Sequence, residues 1–151
     1  SVMLHPSPLP KYRGGSPIQN QIINGEIDSA VTLFRMDSGI DTGDIIVQEP
    51  FELHGGVKDI FQNITTIGIR LSKYMIENFA NLKLRPQNES EATYYKRRKP
   101  DESEITLEDI KNTEAKDLHN KIRCLQHPYP NAFIRCKDGT KLYLTDSCIK
   151  V

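Results

Sequence analysis

The chain has 151 residues, a length that fits one ordinary domain or two small ones. Hydrophobic residues make up 37% and charged residues 26%, a composition typical of a folded protein and not of a disordered or collagen-like one. The 20 basic and 20 acidic side chains cancel, which argues against a dedicated nucleic-acid binder. No apolar stretch approaches the roughly 20 residues that cross a bilayer and no signal peptide opens the sequence, so a complete chain of this kind is expected neither to span a membrane nor to be exported.

The charges are unevenly distributed along the chain. Residues 1–55 carry 3 basic and 7 acidic side chains, residues 56–90 carry 5 and 3, and residues 91–151 carry 12 and 10. Three cysteines form no Cys-x-x-Cys pair and no even set, which predicts a reducing cytoplasm and neither a metal nor a disulfide framework: Cys124, Cys136 and Cys148.

A short strand and a helix are predicted at the start of the chain. The apolar run 2–4 indicates the carboxyl end of a strand, which stops where a proline-rich loop begins. Ser16 is a candidate N-cap, Pro17 suits the first helical position, and Gln19 completes a Ser-x-x-Gln capping box. The helix is expected to end at the Asn-Gly pair at 24–25.

Two strands and a long helix are predicted next. The strands fall at about 30–36 and 45–48, with an Asp- and Gly-rich loop between them. The helix covers residues 57–79, because apolar side chains recur there at steps of three and four, a pattern that indicates core packing: Ile60, Ile64, Ile67, Leu71, Met75 and Phe79.

The remaining sequence contains a linker, a helix and a hairpin. Residues 81–93 are rich in turn-forming types and predict the linker, which a basic run follows at 96–99. A helix is expected near 113–125, and a hairpin at 132–136 and 141–145 around an Asp-Gly turn. Alternating strands and helices favour an α/β fold.

Two loops carry groups that could do chemistry. His5 follows the first strand on a stiff proline-rich loop, where it is either a proton carrier or a structural histidine. Asp41 lies with Asp37 and Asp44 in a loop that either binds a cation or supplies a carboxylate to orient His5. The loop lacks the closing Glu of an EF-hand, and the chain has no Gly-x-Ser-x-Gly, Walker or Gly-x-Gly-x-x-Gly motif, which disfavours calcium, serine-nucleophile, ATP and NAD chemistry.

These two loops resemble the motifs of one enzyme family. Residues 5–19, His-Pro-Ser-Pro-Leu-Pro-Lys-Tyr-Arg-Gly-Gly-Ser-Pro-Ile-Gln, are similar to the signature of folate-dependent formyltransferases. Residues 37–44, Asp-Ser-Gly-Ile-Asp-Thr-Gly-Asp, match that family's second motif at the expected separation, 36 residues from His5 to Asp41. Residues 92–105 and 122–133 resemble the C-terminal domain of the methionyl-tRNA and amino-sugar formyltransferases in this family.

The resemblance implies a fold and a division into domains. The expected fold class is α/β, with the second half of a Rossmann-like formyltransferase domain followed by a small, mostly β, C-terminal domain that forms an incomplete barrel. Residues 1–80 would form the C-terminal part of the catalytic domain, residues 81–93 the linker, and residues 94–151 the start of the second domain.

The resemblance also implies the reaction and its residues. The family passes a formyl group from 10-formyltetrahydrofolate to a primary amine, without a metal. His5 would then be the catalytic histidine, and Asp41 the carboxylate that orients it and helps to take up the amine proton. The residues expected at the folate pocket, either shaping its loops or edging it, are Arg13, Gly14, Ile40, Thr42 and Gly43.

The sequence departs from the family pattern in two ways. The family has an Asn two residues before the histidine, and Met3 stands there, so one donor to the developing oxyanion is missing. The family's upstream strands and helix, which supply part of the folate pocket, do not precede Ser1 in this sequence, so we expect upstream residues to be missing.

Three functions follow from this pattern. The leading expectation is N-formylation of a nucleotide-linked amino sugar in the cytoplasm, because the basic surplus of the last 61 residues is small for a tRNA partner. The alternative acceptor is initiator methionyl-tRNA, in which case the basic run 96–99 would contact its phosphates. The third possibility, motivated by Met3, is a non-catalytic binding relative or an inactive fragment.

Overall fold

The computed structural model describes residues 1–150, and these residues form a mixed α/β structure. The strands are β1 (Val2–His5), β2 (Arg13–Gly14), β3 (Asp28–Arg35), β4 (Ile45–Glu52), β5 (Tyr94–Tyr95), β6 (Ala132–Arg135) and β7 (Lys141–Leu144). The helices are α1 (Pro17–Ile23), α2 (Val57–Glu77), α3 (Leu107–Asn112) and α4 (Ala115–Cys124). Three short 3₁₀ turns lie at Phe79–Asn81, Glu89–Glu91 and Pro100–Ser103.

The predicted elements are confirmed, with shifts of a few residues at most ends. The strand expected at 30–36 is β3, and the one expected at 45–48 is β4, which runs four residues further. The long helix is α2, the helix expected near 113–125 is α4, and the closing hairpin is β6 and β7. No helix within residues 1–150 combines the length and the apolar composition that a membrane crossing needs.

The main sheet has the order β1-β3-β4 with antiparallel neighbours. His5 at the end of β1 is paired with Thr32, in the middle of β3, and Val2 is paired with Arg35 at the end of β3. The end of β3 therefore lies beside the start of β1, at the far end from His5. The loop 36–44 has to fold back along the sheet before any of its side chains can reach that histidine.

The predicted capping box of α1 is wrong, although the helix begins at Pro17 as predicted. Ser16 has φ 51° and ψ 45°, a left-handed conformation, and its side chain makes no capping hydrogen bond. Its hydroxyl instead accepts a hydrogen bond from the Arg98 backbone N–H at 3.0 Å. A backbone N–H 82 residues away has thus replaced the Gln19 backbone N–H that the predicted cap would have used.

The apolar stripe of α2 packs against the sheet and α1 for most of its length. Ile60, Ile67 and Leu71 are buried, and Ile64 and Met75 are half-buried against the same clusters. Phe79 does not continue the stripe: it begins a 3₁₀ turn beyond the helix and is 74% exposed. The change from 3.6 to about 3 residues per turn rotates this side chain away from the core.

One hydrophobic cluster contains residues from both sides of the predicted linker. It joins α1, α2, the end of β4, α4 and β6 through Ile18, Ile22, Leu53, Ile60, Ile105, Ile122, Cys124, Leu125 and Ala132. Burial raises the pKa of the Cys124 thiol to about 12, while Cys136 and Cys148 are exposed free thiols. The division into domains at 81–93 stays a prediction.

Candidate active site

His5 and Asp41 lie against each other at the end of β1. The distance from His5 Nδ1 to Asp41 Oδ2 is 3.6 Å, and the two side chains are only 6% and 12% exposed. Asp41 reaches this position because the loop 36–44 folds back along the sheet, as the antiparallel pairing requires. The two residues that the sequence singled out for catalysis are therefore neighbours.

The other ring nitrogen of His5 has a fixed partner. His5 Nε2 lies 2.8 Å from the Tyr12 carbonyl oxygen. Because a carbonyl oxygen only accepts, this hydrogen bond requires the proton on Nε2 and leaves Nδ1 facing the Asp41 carboxylate. Nδ1 is the nitrogen at which a proton can be gained or lost beside a negative charge.

Tyr12 is held firmly enough to present that carbonyl. It has φ 61°, a conformation that non-glycine residues adopt only when their surroundings impose it. Its ring stacks on Tyr95 with the centroids 4.9 Å apart, and its hydroxyl donates to Glu26 at 2.8 Å. Its backbone N–H donates to the Thr93 hydroxyl at 2.8 Å, so residues of the predicted linker help to orient His5.

Asp41 also has an unusual backbone, which contacts on two sides hold in place. Its φ is 56°, and its Oδ2 accepts a hydrogen bond of 2.8 Å from the Gly14 backbone N–H. From the other side, Gln87 Nε2 donates to the Asp41 carbonyl at 2.8 Å and to the Gly43 carbonyl at 2.7 Å. The Gly14 N–H is therefore the hydrogen-bond donor to the carboxylate, and His5 Nδ1 lies beside it at 3.6 Å.

Arg13 supports this arrangement from the interior. It donates to Gln87 Oε1 from Nε at 3.1 Å and from Nη2 at 2.8 Å, which fixes the orientation of the Gln87 amide. It also pairs with Glu89 at 2.7 Å and donates to the Tyr94 hydroxyl. The hydrogen bond with Glu89 raises the pKa of Arg13, and the same bond lowers the pKa of Glu89. We call Arg13, Gln87 and Glu89 the Arg13 clamp.

The rest of the Asp41 loop is shaped by Asp37 and a glycine. Asp37 Oδ1 accepts from the Gly39 N–H at 3.0 Å and from the Thr42 hydroxyl at 2.6 Å, and the hydroxyl contact lowers the pKa of Asp37. At Gly43 a side chain would overlap the Arg35 carbonyl, so only glycine lets the loop return to the sheet. Ile40 at the tip is 66% exposed and offers an apolar surface near the pair.

The predicted site residues thus occupy different positions. His5, Asp41 and Gly14 come together directly, and Thr42 and Gly43 shape the loop 36–44 that carries Asp41. Arg13 is fully enclosed, so its part is to shape the loop and not to offer its guanidinium to a ligand in this conformation. The folate-binding role of these residues stays a prediction.

Sequence reasoning missed the residues that hold the pair in place. Gln87 and Glu89 were assigned to a linker, because polar residues beside a proline are typical of loops. Tyr12 acts through its backbone carbonyl, which any residue type could supply. One signal could have pointed to these residues: a buried arginine requires a polar partner, and Arg13 is buried. That signal was not usable, because the burial of a loop residue cannot be predicted from the sequence.

The arrangement suits proton transfer next to a developing negative charge. A nearly buried imidazole with one nitrogen fixed by a carbonyl and the other facing a carboxylate can exchange a proton with a bound molecule. Low exposure strengthens each of these electrostatic interactions. No group of three or more His, Cys, Asp or Glu side chains among residues 1–150 is arranged to hold a metal ion.

The segment that carries His5 and Asp41 is similar to known formyltransferases. Residues 1–59 match the family model described as formyl transferase. The methionyl-tRNA formyltransferase of Orientia tsutsugamushi (strain Boryong) is 36% identical over 134 residues, which is 87% of this chain and 42% of that protein. The chain therefore spans less than half the length of this curated relative.

Solved structures agree with the fold. A methionyl-tRNA formyltransferase from Clostridium thermocellum superposes with a TM-score of 0.83 at 32% identity, covering 99% of this chain and 63% of that chain. An N-formyltransferase from Helicobacter canadensis, solved with folinic acid and dTDP-3-aminofucose, gives a TM-score of 0.71 at 30% identity, covering 81% of this chain and 46% of that one. The predicted α/β fold class, with part of a Rossmann-like formyltransferase domain, is confirmed. The following segment is not mostly β within the described residues: it contains the helices α3 and α4, and its β6 and β7 form a two-stranded sheet and not a barrel.

Proposed function

Residues 1–59 of this chain belong to the formyl transferase family, and from that premise we propose that the protein transfers a formyl group from 10-formyltetrahydrofolate to a primary amine. The observation that carries the proposal is the His5–Asp41 pair, 3.6 Å apart and nearly buried, on the family's two motifs. The relative solved with folinic acid supports a formyl-folate as the donor.

The reaction assigns a role to each member of the pair. An uncharged amine attacks the formyl carbon, and negative charge grows on the formyl oxygen. The intermediate collapses by breaking the bond between the formyl carbon and the donor's nitrogen, which takes up a proton while the acceptor nitrogen loses one. His5 exchanges protons with the tetrahedral intermediate through Nδ1, and Asp41 balances the charge of the protonated ring. The exposed Ile40 and the loop 36–44 would edge the folate pocket.

The acceptor we favour is a nucleotide-linked amino sugar. The basic surplus of residues 91–151 is only two charges, from 12 basic and 10 acidic side chains, which is small for a protein that binds the phosphate backbone of a tRNA. The relative solved with dTDP-3-aminofucose supports this choice.

Methionyl-tRNA is the second candidate acceptor. The relatives named methionyl-tRNA formyltransferases, including one that aligns with 87% of this chain, favour it. The basic run 96–99, three of whose four side chains are exposed, would then contact phosphate.

The test uses the protein expressed from its complete reading frame. Labelled 10-formyltetrahydrofolate is incubated with a dTDP-amino sugar or with methionyl-tRNA, and label in each acceptor is counted. With the acceptor that becomes labelled, we expect His5→Ala to lower turnover by about 10²- to 10⁴-fold, the usual contribution of general acid–base catalysis. His54→Ala is the matched control, because His54 is exposed and, within residues 1–150, forms an ion pair with Glu52 alone, at 2.9 Å.

The non-catalytic alternative makes a different prediction. Met3 lies on β1 opposite Phe34, where the family has an Asn donor. Transfer to neither acceptor would exclude the proposed reaction and favour a binding role. If transfer occurs and Met3→Asn raises it, the missing donor limits the rate.

A further inference from the structure

The proton of a neutral His5 ring has two candidate positions, and the structure offers an acceptor beside each. The Tyr12 carbonyl oxygen lies 2.8 Å from Nε2, and Asp41 Oδ2 lies 3.6 Å from Nδ1. Because a neutral imidazole carries one proton, only one of these acceptors receives it. If the Tyr12 carbonyl moved away, the Asp41 carboxylate would draw the proton to Nδ1. The nitrogen that faces Asp41 would then have no lone pair with which to accept a proton.

The Tyr12 carbonyl faces His5 in a backbone conformation that the loop does not hold by local contacts. Tyr12 has φ 61°, which a non-glycine residue keeps only when its surroundings impose it. The Ser7 hydroxyl donates to the Lys11 carbonyl at 2.7 Å and so holds the chain just before Tyr12. This contact does not reach the next peptide group, which joins Tyr12 to Arg13 and contains the carbonyl that faces His5.

Thr93 holds that peptide group from the opposite side. Its carbonyl oxygen accepts from the Arg13 backbone N–H at 2.9 Å, and its hydroxyl accepts from the Tyr12 N–H at 2.8 Å. Its own N–H donates to the Pro10 carbonyl at 3.3 Å. The C=O and N–H of a planar trans peptide point in opposite directions, so an N–H fixed on Thr93 directs the Tyr12 carbonyl toward His5.

A pair of stacked rings keeps Thr93 beside this loop. Tyr95, close after Thr93 in the chain, stacks on the Tyr12 ring with the centroids 4.9 Å apart and the planes inclined by 12°. Asn24 Nδ2 donates to the Tyr12 hydroxyl at 3.2 Å and to the Tyr95 hydroxyl at 2.8 Å. Thr93 itself is exposed and belongs to none of the hydrophobic clusters. Its hydrogen bonds, and not its packing, therefore connect it to the loop.

We propose that Thr93 is a positioning residue that sets the tautomer of His5. It does not touch the ring and acts through the peptide that joins Tyr12 to Arg13. His5 thus depends on a residue outside 1–59, the part of the chain that matches the formyl transferase family model. The kinetic consequence rests on the proposed function, whereas the tautomer is measured without turnover.

The experiment observes the histidine rings by ¹⁵N NMR in the protein expressed from its complete reading frame. At about pH 9, above the ordinary pKa range of histidine, long-range correlations distinguish a ring protonated on Nε2 from one protonated on Nδ1. The His5 signals are assigned by their absence in His5→Ala. We expect the Nε2–H form in the wild type. In Thr93→Val, which keeps the shape and loses the hydroxyl, we expect the tautomer ratio to shift about 10-fold toward Nδ1–H, the effect of one ordinary hydrogen bond.

Formyl transfer provides a second measurement. Thr93→Val should lower kcat by about 10-fold or more with little change in KM, because a displaced proton affects the chemical step and not the binding of the acceptor. Thr93→Ser keeps a hydroxyl and should restore both the tautomer and kcat.

Thr106→Val separates positioning from general destabilisation. Thr106 is also exposed, and its hydroxyl also accepts from a backbone N–H, that of Asp109 at 3.0 Å, at the start of α3. Its loss should lower Tm, as Thr93→Val does, and leave the His5 tautomer and kcat unchanged.

Four results would overturn the proposal: a wild-type ring protonated on Nδ1, an unchanged tautomer in Thr93→Val, no rescue by Thr93→Ser, or the same tautomer shift in Thr106→Val. A tautomer that responds to Thr93→Val in a protein that transfers no formyl group would support the positioning role and refute the proposed reaction alone.

Discussion

Gln87 connects the buried Arg13 to the loop that carries Asp41. One face of its amide accepts from the Arg13 guanidinium, and the other donates to the Asp41 and Gly43 carbonyls. Asp41 has φ 56°, a conformation that its surroundings have to impose. The geometry of the candidate pair therefore depends on a side chain 46 residues further along the chain.

We predict that Gln87→Leu lowers kcat by about 10- to 100-fold with a smaller effect on KM, since small displacements of a catalytic group have effects of this size. It also destabilises the fold by about 1–3 kcal/mol for each polar group left unpaired. Gln87→Glu keeps the acceptor for Arg13 but loses the donor to the carbonyls. It should recover only the part of the stability that depends on Arg13, measured by urea unfolding, and should not recover kcat, because a carboxylate oxygen then faces the two carbonyls. Equal recovery of stability and kcat would refute the positioning role.

The Arg13–Glu89 pair predicts how stability depends on pH. Because the hydrogen bond from Arg13 lowers the pKa of Glu89 below its ordinary value of 4.5, the unfolded chain binds the proton more readily than the folded one. The contribution of Glu89 is therefore present above pH 4.5 and is lost as the pH falls through the lowered pKa.

Glu89→Gln should thus have a lower Tm than wild type near neutral pH, and the gap should close as the solution is acidified. Scanning calorimetry from about pH 7 to pH 3 covers the window in which an acidic group titrates. Glu91→Gln is the control, because the Glu91 carboxylate forms no ion pair within residues 1–150. A Tm gap of constant size down to the lowest pH would contradict the assignment.

At the scale of elements, the short parallel pairing of β2 with β5 joins the two predicted regions. Arg13 is paired with Tyr94 and Gly14 with Tyr95, and the Gly15 N–H donates to the Tyr95 carbonyl at 2.8 Å. A Cβ on Gly14 or Gly15 would overlap the backbone of β5 or of Arg97. Two consecutive glycines therefore allow the segment after the predicted linker to lie directly on the loop that follows His5.

We predict that Gly15→Ala destabilises the protein by about 1–3 kcal/mol, the range for overpacking, because the Arg97 backbone has to move away. Gly68→Ala is the contrasting variant: it lies inside α2, and an added Cβ meets only the flexible end of Leu4 at 3.1 Å. That change should be neutral or stabilise by about 0.5–1 kcal/mol through helix propensity. Urea unfolding measures both, and a neutral Gly15→Ala would contradict the close approach.

At the scale of the whole molecule, the cluster that joins α1, α2, α4 and β6 makes distant segments depend on one another. Ile18 and Ile22 on α1 pack in the same cluster as Ile122 on α4, about a hundred residues further along the chain. Shared burial of this kind makes regions unfold together, whatever linker separates them in sequence.

Ile122→Ala should therefore destabilise more than its own helix. We predict a loss of about 2–5 kcal/mol, the range for removing a large buried side chain. Amide hydrogen exchange should speed up in α1 as well as in α4, because both lose the same packing partner. Leu107→Ala, at an exposed position on α3, serves as the control. Faster exchange confined to α4 would show that the two regions unfold independently.

Most elements and the identity of the candidate pair were predictable from the sequence. The stripe of α2, the Asp-Gly turn of the hairpin and Pro17 at the start of α1 are local signals, each read within one or two turns of chain. The two motifs identified His5 and Asp41 as candidates, and in the structure His5 Nδ1 lies 3.6 Å from Asp41 Oδ2. The exceptions were Phe79, displaced by a 3₁₀ turn, and the capping box, which a distant backbone group replaced.

By itself the sequence therefore determined the periodic elements, the fold class and the chemical groups available to the site. Only the tertiary structure decided how these groups are held: that Asp41 folds back to His5, and that Gln87 and Arg13 fix its loop. The physical reason is that helix and strand preferences depend on near neighbours, whereas a buried polar group takes whichever partner the packed chain brings within about 3 Å.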